Sequence, residues 1–349
     1  MYNYMESYEN CKLCPRECGV NRTIKKGVCN SLEKCRIVRA ALHFWEEPCI
    51  SGVIDTEVSR MEGSKTELNK LEINETKTCN MIKRGSGTIF FEGCSLGCVF
   101  CQNYEISDGK SKYGVEVSVD RLVEIFFELK EKGAYNINFV TPTHFMPHIK
   151  MAIIKAKEQG FDLPFVYNTS GYEKVECLRE LEGLIDVYLP DMKYAYEESC
   201  MEDAETSNYT KNIALTYSKA KDYFEKSKEA IAEMFRQVGT PQFDENGMIK
   251  KGVIVRHLIL PNHTKNSMNV IEYLYNTYGD DIYISIMNQY TPVKTHRMES
   301  YPKIQRTITK REYEKVIDFA LNIGVKNAFV QEGETCKESF IPDFNGEGL

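Results

Sequence analysis

The chain has 349 residues, a formal net charge of −7, 27% charged and 42% hydrophobic residues. This acidity argues against a general nucleic-acid or anionic-membrane binder, and no apolar run is long enough to span a bilayer. Thirteen cysteines follow a start, Met1-Tyr2-Asn3-Tyr4-Met5-Glu6, without the basic and apolar parts of a signal peptide, which points to a reducing cytoplasm and to metal ligation rather than disulfides.

Residues 1–52 form a cysteine-rich region. Cys11, Cys14, Cys18 and Cys29 place four thiols within nineteen residues, with Pro15, Gly19 and Gly27 permitting tight turns. Four thiolates can close a structural zinc site or a second 4Fe–4S cluster, and this spacing selects neither. Arg16, Arg22, Lys25 and Lys26 give the same region a basic patch. Residues 53–85 are polar and read as an insertion or connector in which Leu68, Leu71 and Ile73 could dock a short helix.

Across 86–300, apolar strands alternate with helical periodicity. Strands are expected at 88–91, 137–140, 165–168, 186–189, 253–260 and 282–287. Leu122, Ile125, Phe126 and Leu129 follow helical spacing from Ser118 to a stop at Gly133. Further helices are expected at 151–158, 175–184, 218–237 and 268–276. The remainder, 301–349, holds a helix at 310–321, a short strand at 328–330 and a surface tail from 341. Six strands with intervening helices predict an α/β fold, an open, partial (β/α)6 barrel with a small cysteine-rich N-terminal extension. A doubly wound sheet is the alternative, but no Gly-x-Gly-x-x-Gly turn follows the first strand.

The most informative stretch follows that strand: Gly93-Cys94-Ser95-Leu96-Gly97-Cys98-Val99-Phe100-Cys101. Soft thiolates select iron–sulfur clusters or zinc. A closed zinc site normally takes four ligands, whereas three cysteines leave a 4Fe–4S cubane with one open iron, where a small molecule can chelate. The other strand ends are polar: Thr141-Pro142-Thr143-His144, Asn168-Thr169-Ser170, Asp191-Met192-Lys193, Arg256-His257 and Asn288-Gln289. In a barrel these converge on one cleft. Taken singly, Asp191 and Lys193 could form an ordinary ion pair, Arg256 a surface or interdomain one, and His144 or His257 could be core histidines.

The triplet and its loop position resemble the radical S-adenosylmethionine (radical SAM) superfamily. The runs Gly85–Cys94, Asp186–Tyr194 and Val255–Pro261, with Met287-Asn288-Gln289-Tyr290, are similar to the branch related to pyruvate formate-lyase activating enzyme. The resemblance implies that Cys94, Cys98 and Cys101 ligate the cluster, that its open iron binds S-adenosyl-L-methionine (SAM), and that Phe100 lies near the adenine. It places the Asp-x-Lys of Asp191 and Lys193 beside the methionine moiety and a nearby cation. Backbone carbonyls and Thr143 are then expected at the ammonium, Lys193 at the carboxylate, and Asn168, Ser170 or Gln289 at the ribose.

Two departures stand out. The family's Gly-Gly-Glu is Thr141-Pro142-Thr143, and an expected Asp-Thr is Asn168-Thr169, one carboxylate fewer. The implied activity is reductive cleavage of SAM to a 5′-deoxyadenosyl radical that abstracts hydrogen, either from a glycyl radical enzyme or from a small molecule or peptide. A flavodoxin or ferredoxin would donate the electron. Alternatives of other classes are a non-catalytic iron–sulfur or zinc protein, and an RNA-modifying enzyme using the basic patch, against which the overall acidity counts.

Overall fold

Among the described residues seven strands run parallel and neighbour one another in the order of the chain. The computed structural model describes residues 6–52, 58–60, 84–195, 212–293, 295, 298–331 and 342–349. Its strands are β1 (Arg36–His43), β2 (Val58–Arg60), β3 (Gly85–Phe91), β4 (Val115–Glu116), β5 (Ala134–Val140), β6 (Phe165–Thr169), β7 (Val187–Pro190), β8 (Gln242–Phe243), β9 (Ile249–Leu258), β10 (Tyr283–Met287) and β11 (Ala328–Gln331). The sheet runs β2-β11-β10-β9-β7-β6-β5-β3-β1-β4, and β8 pairs β9 outside this path. From β3 to β11 the ladder is parallel and never reverses direction. A doubly wound sheet needs a reversal at its switch point; this order belongs to an open, partial barrel.

The helices are α1 (Glu6–Glu9), α2 (Pro48–Ser51), α3 (Tyr104–Ser107), α4 (Val119–Glu131), α5 (Met146–Glu158), α6 (Val175–Arg179), α7 (Ile213–Ser218), α8 (Tyr223–Val238), α9 (Thr264–Tyr278) and α10 (Lys310–Ile323). In α4 the Ser118 side chain accepts from the Arg121 amide, and the buried stripe is Leu122, Val123, Ile125, Phe126 and Leu129. That stripe meets the sheet through Phe126, whose ring centroid lies 5.6 Å from Phe139 and 5.5 Å from Phe165. Every residue of β3 is buried, as a parallel strand covered on both faces should be.

Three features depart from the sequence reading. Arg36–His43, not foreseen as a strand, pairs antiparallel with β3, so the cysteine-rich region supplies part of the sheet. The helix expected over 218–237 starts later, as α8 at Tyr223: an unforeseen α7 ends at Ser218, and Lys219 turns left-handed at φ 55°. Of the expected surface tail, Phe344 is buried edge-on against Phe90, with centroids 5.4 Å apart, and the Ala40 amide donates to the Glu347 carbonyl at 2.9 Å. Periodicity within the tail cannot reveal a partner some three hundred residues earlier. Leu68, Leu71, Ile73, Cys79, Cys200 and Cys336 lie outside the described residues. Among the described residues no helix is long and apolar enough to cross a membrane.

Candidate active site at the carboxyl ends of the strands

At the end of β3 the chain turns through Gly93, at φ 94°, into the loop of Cys94, Cys98 and Cys101. A side chain at Gly93 would collide with the Ser31 hydroxyl and the Cys29 carbonyl, so the turn demands glycine. The three cysteines line one cavity of about 230 Å³. Burial first, then the neighbouring cysteines, pushes the Cys94 thiol far up, and the same causes raise Cys101 to about 11. Such thiols hold their protons until a metal displaces them. Among the described residues no three His, Cys, Asp or Glu side chains are arranged around a single ion; a cubane does not ask for that, because each thiolate meets its own iron. Three soft donors on one loop, facing one cavity, fit a 4Fe–4S cluster.

The opposite wall comes from β6, β7, β9 and the segment after β10: Asn168, Ser170, Asp191, Lys193, Arg256 and Gln289 all line the cavity. Lys193 Nζ is 2.5 Å from Asp191 Oδ2. Arg256 donates from Nε to Asp191 Oδ1 at 3.0 Å, from Nη2 to Asn168 Oδ1 at 2.6 Å and from Nη1 to Glu46 Oε2 at 3.1 Å. Glu46 also accepts from Asn138 Nδ2 at 3.0 Å and Asn168 Nδ2 at 3.3 Å. Burial pushes the Asp191 carboxyl up, but Lys193 and Arg256 outweigh it and hold Asp191 below its usual range. Glu46 lies on the segment between β1 and α2, a place no motif marks. It brings a carboxylate to the side of Asn168, where the sequence lacks one.

Of the remaining expected residues, Phe100 lines the cavity with its ring edge-on to Tyr290 at 5.9 Å. The carbonyl of Gln289 accepts from Gln102 Nε2 at 3.0 Å. Thr143 is turned away: it is buried and donates to Glu173 Oε1 at 2.5 Å. Thr141 lines the cavity instead. Its φ of 58° is uncommon for a β-branched residue, and a one-turn 3₁₀ helix at Thr143–Phe145 carries the next side chains inward. His144 and His257 are core histidines. Burial lowers them to about 3 and about 4, and each has one ring nitrogen on a backbone carbonyl, Glu92 and Met192, at 2.7 Å.

Half of the basic patch is taken into the fold, while Lys25 and Lys26 stay exposed. Arg22 is fully buried between the rings of Tyr8 and Phe145 and donates to the carbonyls of Ser31, Leu32 and His144. Arg16 donates to those of Ser95, Ser218 and Lys219. Both serve packing. Around Arg22, Cys11, Cys14 and Cys29 are buried and Cys18 is half-buried. A Cβ on Gly27 would lie 3.4 Å from Cys29 Sγ and 3.5 Å from Cys18 Sγ, and Arg22 Nη1 is 3.9 Å from Cys11 Sγ. The Cys29 carbonyl accepts from the Cys94 amide at 3.2 Å, which joins the two cysteine groups directly.

The profile of the radical SAM superfamily matches residues 88–274. The chain belongs to the radical SAM superfamily. Membership implies an enzyme whose resident cofactors are a 4Fe–4S cluster and SAM. An uncharacterized protein of Methanocaldococcus jannaschii is 27% identical over 329 residues, 90% of this chain and 75% of that protein. Among solved structures, a radical SAM methyltransferase from Sphaerobacter thermophilus aligns at a TM-score of 0.45 and 12% identity, over 70% of this chain and 65% of that one. SuiB of Streptococcus suis bound to its precursor peptide SuiA aligns at 0.42 and 13%, over 67% of this chain. This radical SAM chain spans about half of SuiB, 46% of its length.

Proposed function

We propose that Cys94, Cys98 and Cys101 hold the 4Fe–4S cluster of a hydrogen-abstracting enzyme in the branch similar to pyruvate formate-lyase activating enzyme. The observation that carries this reading is the shared cavity: the three thiols and Phe100, on one loop, line it together with the Asp191–Lys193 pair. When bound, the cluster supplies the electron that cleaves SAM to a 5′-deoxyadenosyl radical. The chain's own residues bind and orient. Lys193 presents its ammonium to the SAM carboxylate while Asp191 keeps it charged. Phe100 offers a ring to the adenine, and Asn168, Ser170 and Gln289 offer polar groups to the ribose. With Thr143 engaged by Glu173, the ammonium falls to backbone carbonyls near Thr141.

The substrate is a hydrogen donor reached through the mouth of the cavity, either a glycine of a glycyl radical enzyme or a carbon of a peptide or small molecule. A flavodoxin or ferredoxin supplies the electron. Residues 85–300 carry six of the parallel strands, and 301–349 adds α10 and the seventh, β11. In residues 1–52, Cys11, Cys14, Cys18 and Cys29 hold a second metal centre, zinc or iron–sulfur; no three of them are arranged around a single ion, so zinc would require them to close in. The principal test is anaerobic reconstitution followed by SAM and dithionite. Wild type should release 5′-deoxyadenosine. Changing Cys94, Cys98 and Cys101 together to Ala should abolish that release and remove about four irons per chain, as loss of a cubane requires. Unchanged iron in the triple variant would refute the ligand assignment.

A further inference from the structure

Ser218 is fully buried at the last position of α7, with its hydroxyl between two other polar groups. Its Oγ lies 2.9 Å from Cys98 Sγ and 2.7 Å from Tyr194 Oη. While Cys98 is a thiol, the protons of this row can point either way. A metal-bound thiolate has no proton and can only accept. Ser218 must then donate to the sulfur, and its lone pairs are left for the Tyr194 proton. Ligation therefore orients the whole row, Tyr194 to Ser218 to Cys98, and each bond polarises the next.

We propose that Ser218, oriented by Tyr194, is a positioning residue that sets how readily the cluster accepts its electron. Hydrogen bonds to ligand sulfurs are among the determinants of iron–sulfur potentials. The incoming electron, supplied by an external one-electron reductant, makes the ligand sulfurs richer in charge, so a hydrogen bond to Cys98 strengthens on reduction. It stabilises the reduced cluster more than the oxidised one and raises the potential. No proton leaves the row and no covalent bond changes.

The surroundings hold Ser218 in place. The Gly97 amide donates to the Ser218 carbonyl at 3.4 Å and the Val99 amide to the Tyr217 carbonyl at 2.8 Å. From the cysteine-rich region, Arg16 Nη2 reaches the Ser218 carbonyl at 3.1 Å, and Arg16 Nε reaches the Ser95 carbonyl at 2.9 Å. The helix thus ends against the cysteine loop, clamped by backbone groups that a change at the Ser218 side chain leaves intact. The proposal rests on Cys98 being a cluster ligand.

The test is a redox titration of the reconstituted cluster, followed by electron paramagnetic resonance, on wild type, Ser218→Ala, Ser218→Thr and Tyr194→Phe. Iron content is measured on each sample. Ser218→Ala should shift the reduction equilibrium roughly tenfold toward the oxidised cluster, about 59 mV more negative for one electron, with the wild-type iron content retained. Ser218→Thr should restore the wild-type potential, and Tyr194→Phe should shift it the same way by less. A wild-type potential in Ser218→Ala with its cluster intact overturns the proposal. If Ser218→Ala loses its iron, Tyr194→Phe decides: a negative shift supports the role and none overturns it. A wild type that takes up no iron would instead overturn the ligand assignment beneath it.

Discussion

Arg256 anchors the polar wall of the cavity, and its side chain is only 17% exposed. One guanidinium fork reaches Asp191, Asn168 and Glu46, which come from the end of β7, β6 and the segment after β1. Fixed donors at set angles are what Arg offers and Lys does not. Removing the fork leaves two buried carboxylates short of a partner, and breaking a buried pair from one side costs about 3–5 kcal/mol. Arg256→Ala should therefore lower unfolding free energy by about that amount and weaken SAM binding at least tenfold, because Asp191 and Lys193 lose their fixed position. Arg256→Lys should restore part of the stability and little of the affinity. Denaturant titration and equilibrium binding read the two effects, and wild-type values in Arg256→Ala would show that the fork is incidental. At this scale the sequence marked Asp191 and Lys193, whose spacing is local. Glu46 carried no such mark, since it reaches the site only through the pairing of β1 with β3.

Among the elements, α10 shows how far local signals reach. Thr309 and Glu312 form a reciprocal capping box: the Thr309 side chain accepts from the Glu312 amide, and Glu312 accepts from the Thr309 amide. Glu312 also pairs with Arg306 at 2.7 Å. Arg306 first, outweighing burial, then the capping amides, holds its carboxyl down at about 2. Between that value and the usual carboxylate range the unfolded chain binds the proton and the folded chain does not. The stabilisation is whole above the unfolded pKa and is lost as pH falls through about 2. Glu312→Gln should cost about 1–2 kcal/mol at pH 7, with the gap nearly closed near pH 2. Urea unfolding at both pH values measures it, and a deficit that persists in acid would assign the effect to shape rather than charge. The break between α7 and α8 was not visible in this way. Ser218 to Gln237 reads as one amphipathic run, and the turn at Lys219 answers to contacts with the cysteine loop.

On the scale of the whole molecule, residues before β1 are laced into the barrel. Arg22, Arg16 and the bond from the Cys94 amide to the Cys29 carbonyl tie them to the strand ends, and the segment Phe344–Leu349 packs beside β1. The second centre proposed for Cys11, Cys14, Cys18 and Cys29 would displace their thiol protons, so changing Cys11 and Cys14 to Ser should release either one zinc or about four irons and make residues 6–35 more sensitive to protease. The sheet has its own core and should remain folded. Because Cys29 bonds to Cys94 through backbone atoms alone, the Cys94 cluster should keep its iron. Metal analysis and limited proteolysis give the outcome; an unchanged metal content and protease resistance would mean that these cysteines bind nothing.

The order of six parallel strands was legible because each is a short apolar run whose burial is written in its own residues. The grouping of the cysteine triplet at one cavity was legible because spacing within one loop is a local property. Neither Thr143 nor Glu46 could be placed in that way. Thr143 has the right position in the motif, but a 3₁₀ turn sends it to Glu173; Glu46 has no motif, but β1 carries it to Arg256. The same holds for Ser218 beside Cys98, 120 positions apart, and for Arg22, a surface charge by composition and a buried strut in the fold. Local chemistry and periodicity determined the fold class and marked the cysteine triplet. Which polar side chains meet across the cavity was decided by strand pairing and by the need of each buried donor and acceptor for a partner, and only the folded chain brings those partners together.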